Sequence, residues 1–142
     1  MDDIQEVLWQ QFEIEVSEHL DILERELGSP DNASAPDAIA TIFRSFHSTK
    51  GLGAAMGVTS VEALSHSAES LFAQVRDGHR ALDAGLAETL LQVVDALRAM
   101  VPEAVAQRGD ATERNDLLEL LATQGPISSS ATANRDTAGS GD

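Results

Sequence analysis

A chain of 142 residues with 42% hydrophobic content is long enough to bury one core and short for two. Its formal charge of −15, from 24 acidic and 9 basic groups, opposes binding to nucleic acid or anionic membranes and suits a partner with a basic or neutral docking face. Having no cysteine excludes disulfides and thiolate chemistry, and with no Tyr, one Trp and four Phe the core volume must come from aliphatic residues, which suits packed helices.

The start Met1-Asp2-Asp3 carries the wrong charge for a secretory leader, and no apolar run is long enough to cross a bilayer. The expectation is a cytoplasmic protein without membrane insertion. Residues 4–27 read as one helix, because Ile4, Leu8, Phe12, Val16, Leu20, Leu23 and Leu27 recur at spacings of four and three. Asp2 or Asp3 can cap its start, and Gly28-Ser29-Pro30 closes it. Glu13, Glu15, Glu18, Asp21 and Glu24 make the rest of its surface a solvated acidic face, and His19 has no lysine or open strip beside it.

Residues 29–36 form a loop by turn chemistry, and Pro36-Asp37 suits the first turn of a second helix ending near Gly57. Thr59-x-x-Glu62 is a capping box opening a third helix, whose buried stripe is Val61, Leu64, Ala68, Leu71, Phe72 and Val75 and whose end is Asp77-Gly78. Asp83 caps a fourth helix with Leu86, Leu90, Val93, Val94, Leu97 and Val101 inward. Pro102 either kinks or ends that helix, or begins a continuation through Gln107. Asp110-x-x-Glu113 reads as the cap of a short fifth helix packing Leu117, Leu118 and Leu121. Residues 125–142 lack periodicity and large apolar groups. They read as a flexible, disordered tail or linker, a hint that the chain is a piece of a longer protein. Residues 1–124 are then an all-α domain, an antiparallel four-helix bundle with a short fifth C-terminal helix.

The chemistry concentrates in the second helix. At roughly 100° per residue, Ile42, Phe46, Thr49, Gly53 and Met56 share one arc with Ile39 and Leu52 on its flanks, and His47 points the opposite way. Beside it stand Arg44, Lys50, Gly51 and Ala54, so the imidazole edge is open to something large. Lys50 is the single lysine among the nine basic residues. Most surface histidines are merely solvated, but the open strip, the neighbouring ammonium and the wrong-side placement distinguish this one. A solvent-facing imidazole is largely neutral near neutral pH, its ordinary pKa being about 6.5, and its free nitrogen is a nucleophile. A nearby ammonium can neutralise oxygens on whatever that nitrogen attacks, the main requirement of phosphoryl transfer.

Two other readings fail. Gly51-x-Gly53-x-x-x-Gly57 lacks the spacing and preceding strand of a dinucleotide loop. His66-x-x-Glu69 places two groups on one helix side, away from the buried stripe, but the four scattered histidines suggest no third metal ligand.

His47-x-x-Lys50-Gly51 followed by Gly57 resembles the signature of histidine-containing phosphotransfer (HPt) domains. The fuller run Ile42-Phe43-Arg44-x-x-His47-Ser48-x-Lys50-Gly51, with His66-x-x-Glu69 after it, is similar to the N-terminal phosphotransfer domain of CheA-type chemotaxis histidine kinases, over roughly residues 4–108. The resemblance implies that a CheA-type ATP-binding kinase domain, on the same or another chain, phosphorylates His47 on Nε2. The phosphoryl group then passes to an aspartate of a CheY/CheB-like response regulator. By the same resemblance Glu69 accepts a hydrogen bond from Nδ1–H of His47, and His66 joins that network. Lys50 then stabilises phosphoryl oxygens, Gly51 and Ala54 admit the partner, and Phe43 and Arg44 rim the docking surface. The domain itself carries no cofactor or metal: ATP and Mg²⁺ belong with the kinase domain, and Mg²⁺ with the regulator. The alternatives are a stand-alone phosphorelay shuttle and a helical adaptor whose histidine is never modified.

Overall fold

The computed structural model describes residues 2–29 and 34–124, in which five helices and no strand occur. They are α1 (Asp2–Leu27), α2 (Pro36–Ala55), α3 (Thr59–Arg76), α4 (Ala84–Gln107) and α5 (Asn115–Thr123). The expected tail, 125–142, and the middle of the first loop lie outside the described residues.

The first four helices pack side by side, α1 against α2 and α4, and α3 against α2 and α4, while α5 lies on α3. Each buries one stripe. Phe12, Val16, Leu20, Leu23 and Leu27 of α1 meet Ile42 and Phe46 of α2, the α3 stripe from Val61 to Val75, and the α4 stripe from Leu86 to Val101. Arg98 of α4 reaches Asp21 and Glu24 of α1, both at 2.7 Å, while Glu13 and Ser17 lie near Val101 and Pro102. Later residues of one helix thus face earlier residues of the other, so the two run antiparallel.

The α2–α3 hairpin positions everything that follows. Its turn, residues 56–58, closes with Val58 N–H donating to the Gly53 carbonyl at 2.8 Å and Gly57 N–H to the Ala54 carbonyl at 3.1 Å. Gly57 supplies the left-handed conformation (φ 72°) that such a close requires, and Val58 is fully buried beneath it. Immediately before the turn the two helices nearly touch. A Cβ on Gly53 would lie 3.0 Å from the Glu62 backbone nitrogen and 3.1 Å from Val61 Cγ1. Gly53 sets the depth of the seam and Gly57 sets its register.

Three local expectations are corrected. Ile4 and Leu8 are 67% and 49% exposed, and Trp9, at 4%, joins the core instead. Carrying the α1–α4 register back toward the N-terminus takes the first turns of α1 past Gln107, where α4 has ended. The α1 repeat therefore continues from Phe12 to Trp9, one step off the Ile4–Leu8 row.

The Thr59–Glu62 box does not form, since no side chain within α3 caps that helix. A carboxylate fifty residues on takes its place. Asp110 accepts from Thr59 Oγ1, from Ser60 N–H (2.9 Å) and Ser60 Oγ (2.6 Å), and from Ala111 N–H (2.9 Å). A charged acceptor at a helix N-terminus meets both the unpaired N–H groups and the positive end of the helix dipole. Asp110 is therefore not the cap of α5, which starts later, at Asn115, with Leu117 and Leu121 buried and Leu118 half-buried as expected.

Of the two readings of Pro102 the continuation holds: α4 does not end there but runs on through Gln107 and closes on Arg108 in the left-handed conformation (φ 52°). Pro102 faces solvent, where the carbonyl one turn back can be hydrated. Asp83 caps α4 as expected, accepting from Leu86 N–H at 2.8 Å.

Candidate functional site

On α2, Ile42, Phe46, Thr49 and Gly53 are buried, and Ile39, Leu52 and Met56 pack at the edge of the core. The His47 side chain lies on the outer face and is 62% exposed. Gly51 has open space where a Cβ would stand, and Ala54 beyond it is exposed. The strip beside the imidazole is therefore clear.

The antiparallel seam brings α3 across to this face. Glu69 Oε2 lies 2.5 Å from His47 Nδ1, and Glu69 Oε1 lies 2.7 Å from Lys50 Nζ. A carboxylate can only accept, so Nδ1 carries the proton. In the neutral ring Nε2 is then unprotonated, and no partner reaches it among the described residues. His66 Nδ1 stands 3.7 Å from Glu69 Oε1, too far for a hydrogen bond, and its own side chain is 62% exposed. Of the four sequence-selected groups, His47 and Lys50 thus bond to the Glu69 carboxylate, and His66 stands at its edge.

Two details differ from the sequence reading. Glu69 is not a surface group well away from the buried stripe. It is 7% exposed, next to the core residue Ala68, and turned toward α2. Lys50 is not free beside the imidazole, because in this structure it is paired with Glu69. Burial pushes the Glu69 carboxyl up, but the hydrogen bonds from Lys50 and His47 outweigh it and hold the group below its ordinary value. The carboxylate stays charged and keeps its hold on Nδ1.

Phe43, one turn before His47, is half-buried, with its ring nearly parallel to the imidazole (13°, centroids 6.4 Å apart). Arg44 is exposed, and its Nη2 donates to Thr41 Oγ1 at 3.5 Å. Sequence reasoning missed Arg76, whose Cζ sits 4.2 Å above the Phe43 ring centroid. A signal existed: Lys50 follows Phe43 by seven residues and Arg76 follows Glu69 by seven, so on paired antiparallel helices the two couples fall at matching levels.

The family and its relatives fit this geometry. A family model described as the Hpt domain matches residues 7–100. The chain is 32% identical over 83 residues to the chemotaxis protein CheA of Borreliella burgdorferi, covering 58% of this chain and 10% of that protein. It is 32% identical over 93 residues to the CheA of Listeria monocytogenes, covering 63% of this chain and 15% of that protein. The chain therefore spans a small fraction of the length of these relatives. Among solved structures it is similar to the phosphorylated P1 domain of CheA3 from R. sphaeroides, solved in complex with CheY6. The TM-score is 0.78 at 29% identity, over 84% of this chain and 95% of that one. With the family match running through α2, α3 and most of α4, and with His47, Lys50 and Glu69 joined at the α2–α3 seam, the chain belongs to the Hpt domain family.

Proposed function

We propose that this chain is the histidine phosphotransfer module of a chemotaxis two-component system. A CheA-type kinase domain phosphorylates His47, and a CheY/CheB-like response regulator receives the phosphoryl group. The observation that carries the reading is the 2.5 Å contact of His47 Nδ1 with a buried, ionised Glu69, which leaves Nε2 as the nucleophile on an exposed ring. The CheA relatives and the CheY6-bound neighbour support the same assignment.

In the first step the Nε2 lone pair attacks the γ-phosphorus of ATP, the bond to the bridging oxygen breaks, and ADP leaves. In the second, an aspartate oxygen of the regulator attacks the same phosphorus, the N–P bond breaks, and Nε2 recovers its lone pair. Glu69 supports both steps by holding the Nδ1 proton and stabilising positive charge on the ring. Lys50 turns from Glu69 toward the phosphoryl oxygens as charge develops there. His66, at the edge of the network, adds to the field around Glu69. Gly51 and Ala54 leave room for the regulator's acceptor, and Phe43 and Arg44 form the rim it meets. The kinase domain brings ATP and Mg²⁺, and the regulator brings its own Mg²⁺, so this domain acts as carrier. No helix among the described residues is long and apolar enough to cross a membrane. The site of action proposed with the kinase domain and regulator is the cytoplasm.

The test is incubation with the cognate kinase domain and labelled ATP. An acid-labile, alkali-stable label that His47→Gln abolishes, and that moves to a receiver domain, is the expected result. Equal labelling of His47→Gln would overturn the assignment.

A further inference from the structure

We infer that Arg76 is a positioning residue for His47 and acts through Phe43. The kinetic part of this inference rests on the phosphotransfer reading, but the structural part does not.

An imidazole that is 62% exposed, beside the open strip at Gly51 and Ala54, has little to define its rotamer. Glu69 holds one nitrogen by a single contact, about which the ring can still tilt. On the N-terminal side, Phe43 presents a face nearly parallel to the imidazole and limits that tilt. The Phe43 ring is only half-buried and needs support on its outer side.

Arg76 supplies that support from the last turn of α3, with its guanidinium 4.2 Å above the ring centroid. The guanidinium is itself anchored, because Nε donates to Asp77 Oδ1 at 3.0 Å and Nη2 to Asp77 Oδ2 at 3.4 Å. Asp77, Arg76, Phe43 and His47 therefore form a supported column along the seam. Glu69, itself paired with Lys50, holds the ring from the other side. An arginine ending a helix needs only water and the helix dipole to be satisfied, and lying over an aromatic ring is an additional, specific placement.

The experiment compares wild type, Arg76→Ala, Arg76→Lys, Asp77→Ala, Phe43→Leu and the Arg76→Ala/Phe43→Leu double variant. Nitrogen-15 shifts and side-chain couplings of His47 report tautomer and rotamer without any kinase, and melting curves report the fold. Phosphorylation by the kinase domain is followed as separate kcat and KM. In Arg76→Ala and Asp77→Ala we expect a second His47 rotamer, a smaller share of the Nε2-unprotonated tautomer, and kcat down about three- to tenfold with KM nearly constant. Phe43→Leu should reproduce these changes, and the double variant should be no worse than Phe43→Leu alone, as expected of residues acting in series.

Wild-type ring-nitrogen signals in Arg76→Ala would overturn the inference, as would additive losses in the double variant. Full recovery in Arg76→Lys would also overturn it, assigning the effect to charge rather than to a planar support. An unlabelled wild type would count against the phosphotransfer reading, and the nitrogen signals would still decide this one.

Discussion

Glu69 Oε2 and His47 Nδ1 stand 2.5 Å apart across the α2–α3 seam, although 22 positions separate them in the chain. That contact decides which ring nitrogen is free, and its removal has a defined consequence. Glu69→Ala lets the imidazole adopt either tautomer and removes the charge proposed to stabilise the phosphorylated ring. A hydrogen bond to a charged group contributes about 1.5–3 kcal/mol, so phosphorylation should slow roughly 10- to 100-fold. Glu69→Gln keeps an acceptor for Nδ1–H and should lose less. A time course of label uptake checks both, and a wild-type rate in Glu69→Ala would remove the carboxylate from the mechanism.

Lys50 and Glu69 make a prediction about pH. The folded Glu69 carboxyl lies below its ordinary value of 4.5, its burial being outweighed by the hydrogen bonds from Lys50 and His47. A depressed carboxyl pKa contributes stability that is present above the ordinary value and disappears as pH falls through the folded one. Lys50→Met removes the strongest of the lowering interactions. The stability gap between wild type and Lys50→Met should therefore be full near neutral pH and close as the solution is taken below 4.5. Melting temperatures across that range check it, and a gap that persists at low pH would contradict it.

The two glycines flanking Leu52 separate fold from function. A methyl on Gly53 meets the Glu62 nitrogen at 3.0 Å and Val61 Cγ1 at 3.1 Å. Gly53→Ala should cost about 1–3 kcal/mol and lower the melting temperature by several degrees. Gly51 has nothing within 4 Å, so Gly51→Ala should stabilise α2 by about 1 kcal/mol through helix propensity. The same methyl would intrude on the face proposed for the regulator's approach to His47, so transfer to a receiver domain should slow in Gly51→Ala despite its higher melting point. Denaturation and transfer assays on the two variants would show the crossover.

Asp110 is where the C-terminal part of the chain holds the start of α3. Burial raises its carboxyl, but hydrogen bonds from the Ser60 and Thr59 side chains and from the Ser60 and Ala111 backbone lower it further, to about 2. Asp110→Ala should cost about 1–2 kcal/mol, the usual range for losing a helix N-cap. The wild-type advantage should hold above 3.8 and decline as pH falls toward about 2. Labelling of His47 at a temperature where both proteins are folded should be unaffected.

Ser65 is fully buried in α3, and its Oγ has no hydrogen-bond partner among the described residues. Ser65→Ala removes an unsatisfied hydroxyl and puts a better helix former in its place, so stability should rise by about 0.5–1 kcal/mol. A lower melting temperature in Ser65→Ala would mean that the hydroxyl has a partner.

Helical periodicity alone was enough to read the four long helices, the exposed side of α2 carrying His47 and the cleared strip at Gly51. Each of these depends on how a residue is turned relative to neighbours on its own helix, and that information lies within a few turns of sequence. The same reasoning failed at Ile4 and Leu8, because whether an apolar row is covered depends on where another helix ends.

Tertiary structure alone decided the relations between helices: Lys50 drawn onto Glu69, Arg76 laid over Phe43, and Asp110 capping α3 in place of the local Thr59–Glu62 box. The first two pairings follow from an antiparallel α2–α3 register that the Gly53 contact and the Gly57 turn set together, and the third from where the α4–α5 connection crosses the start of α3. A shift of that register by one residue would rotate partners away from one another while leaving every helical pattern in the chain intact. The local sequence therefore determined which side chains were available to the site, and the packing of α2 on α3 determined which of them meet.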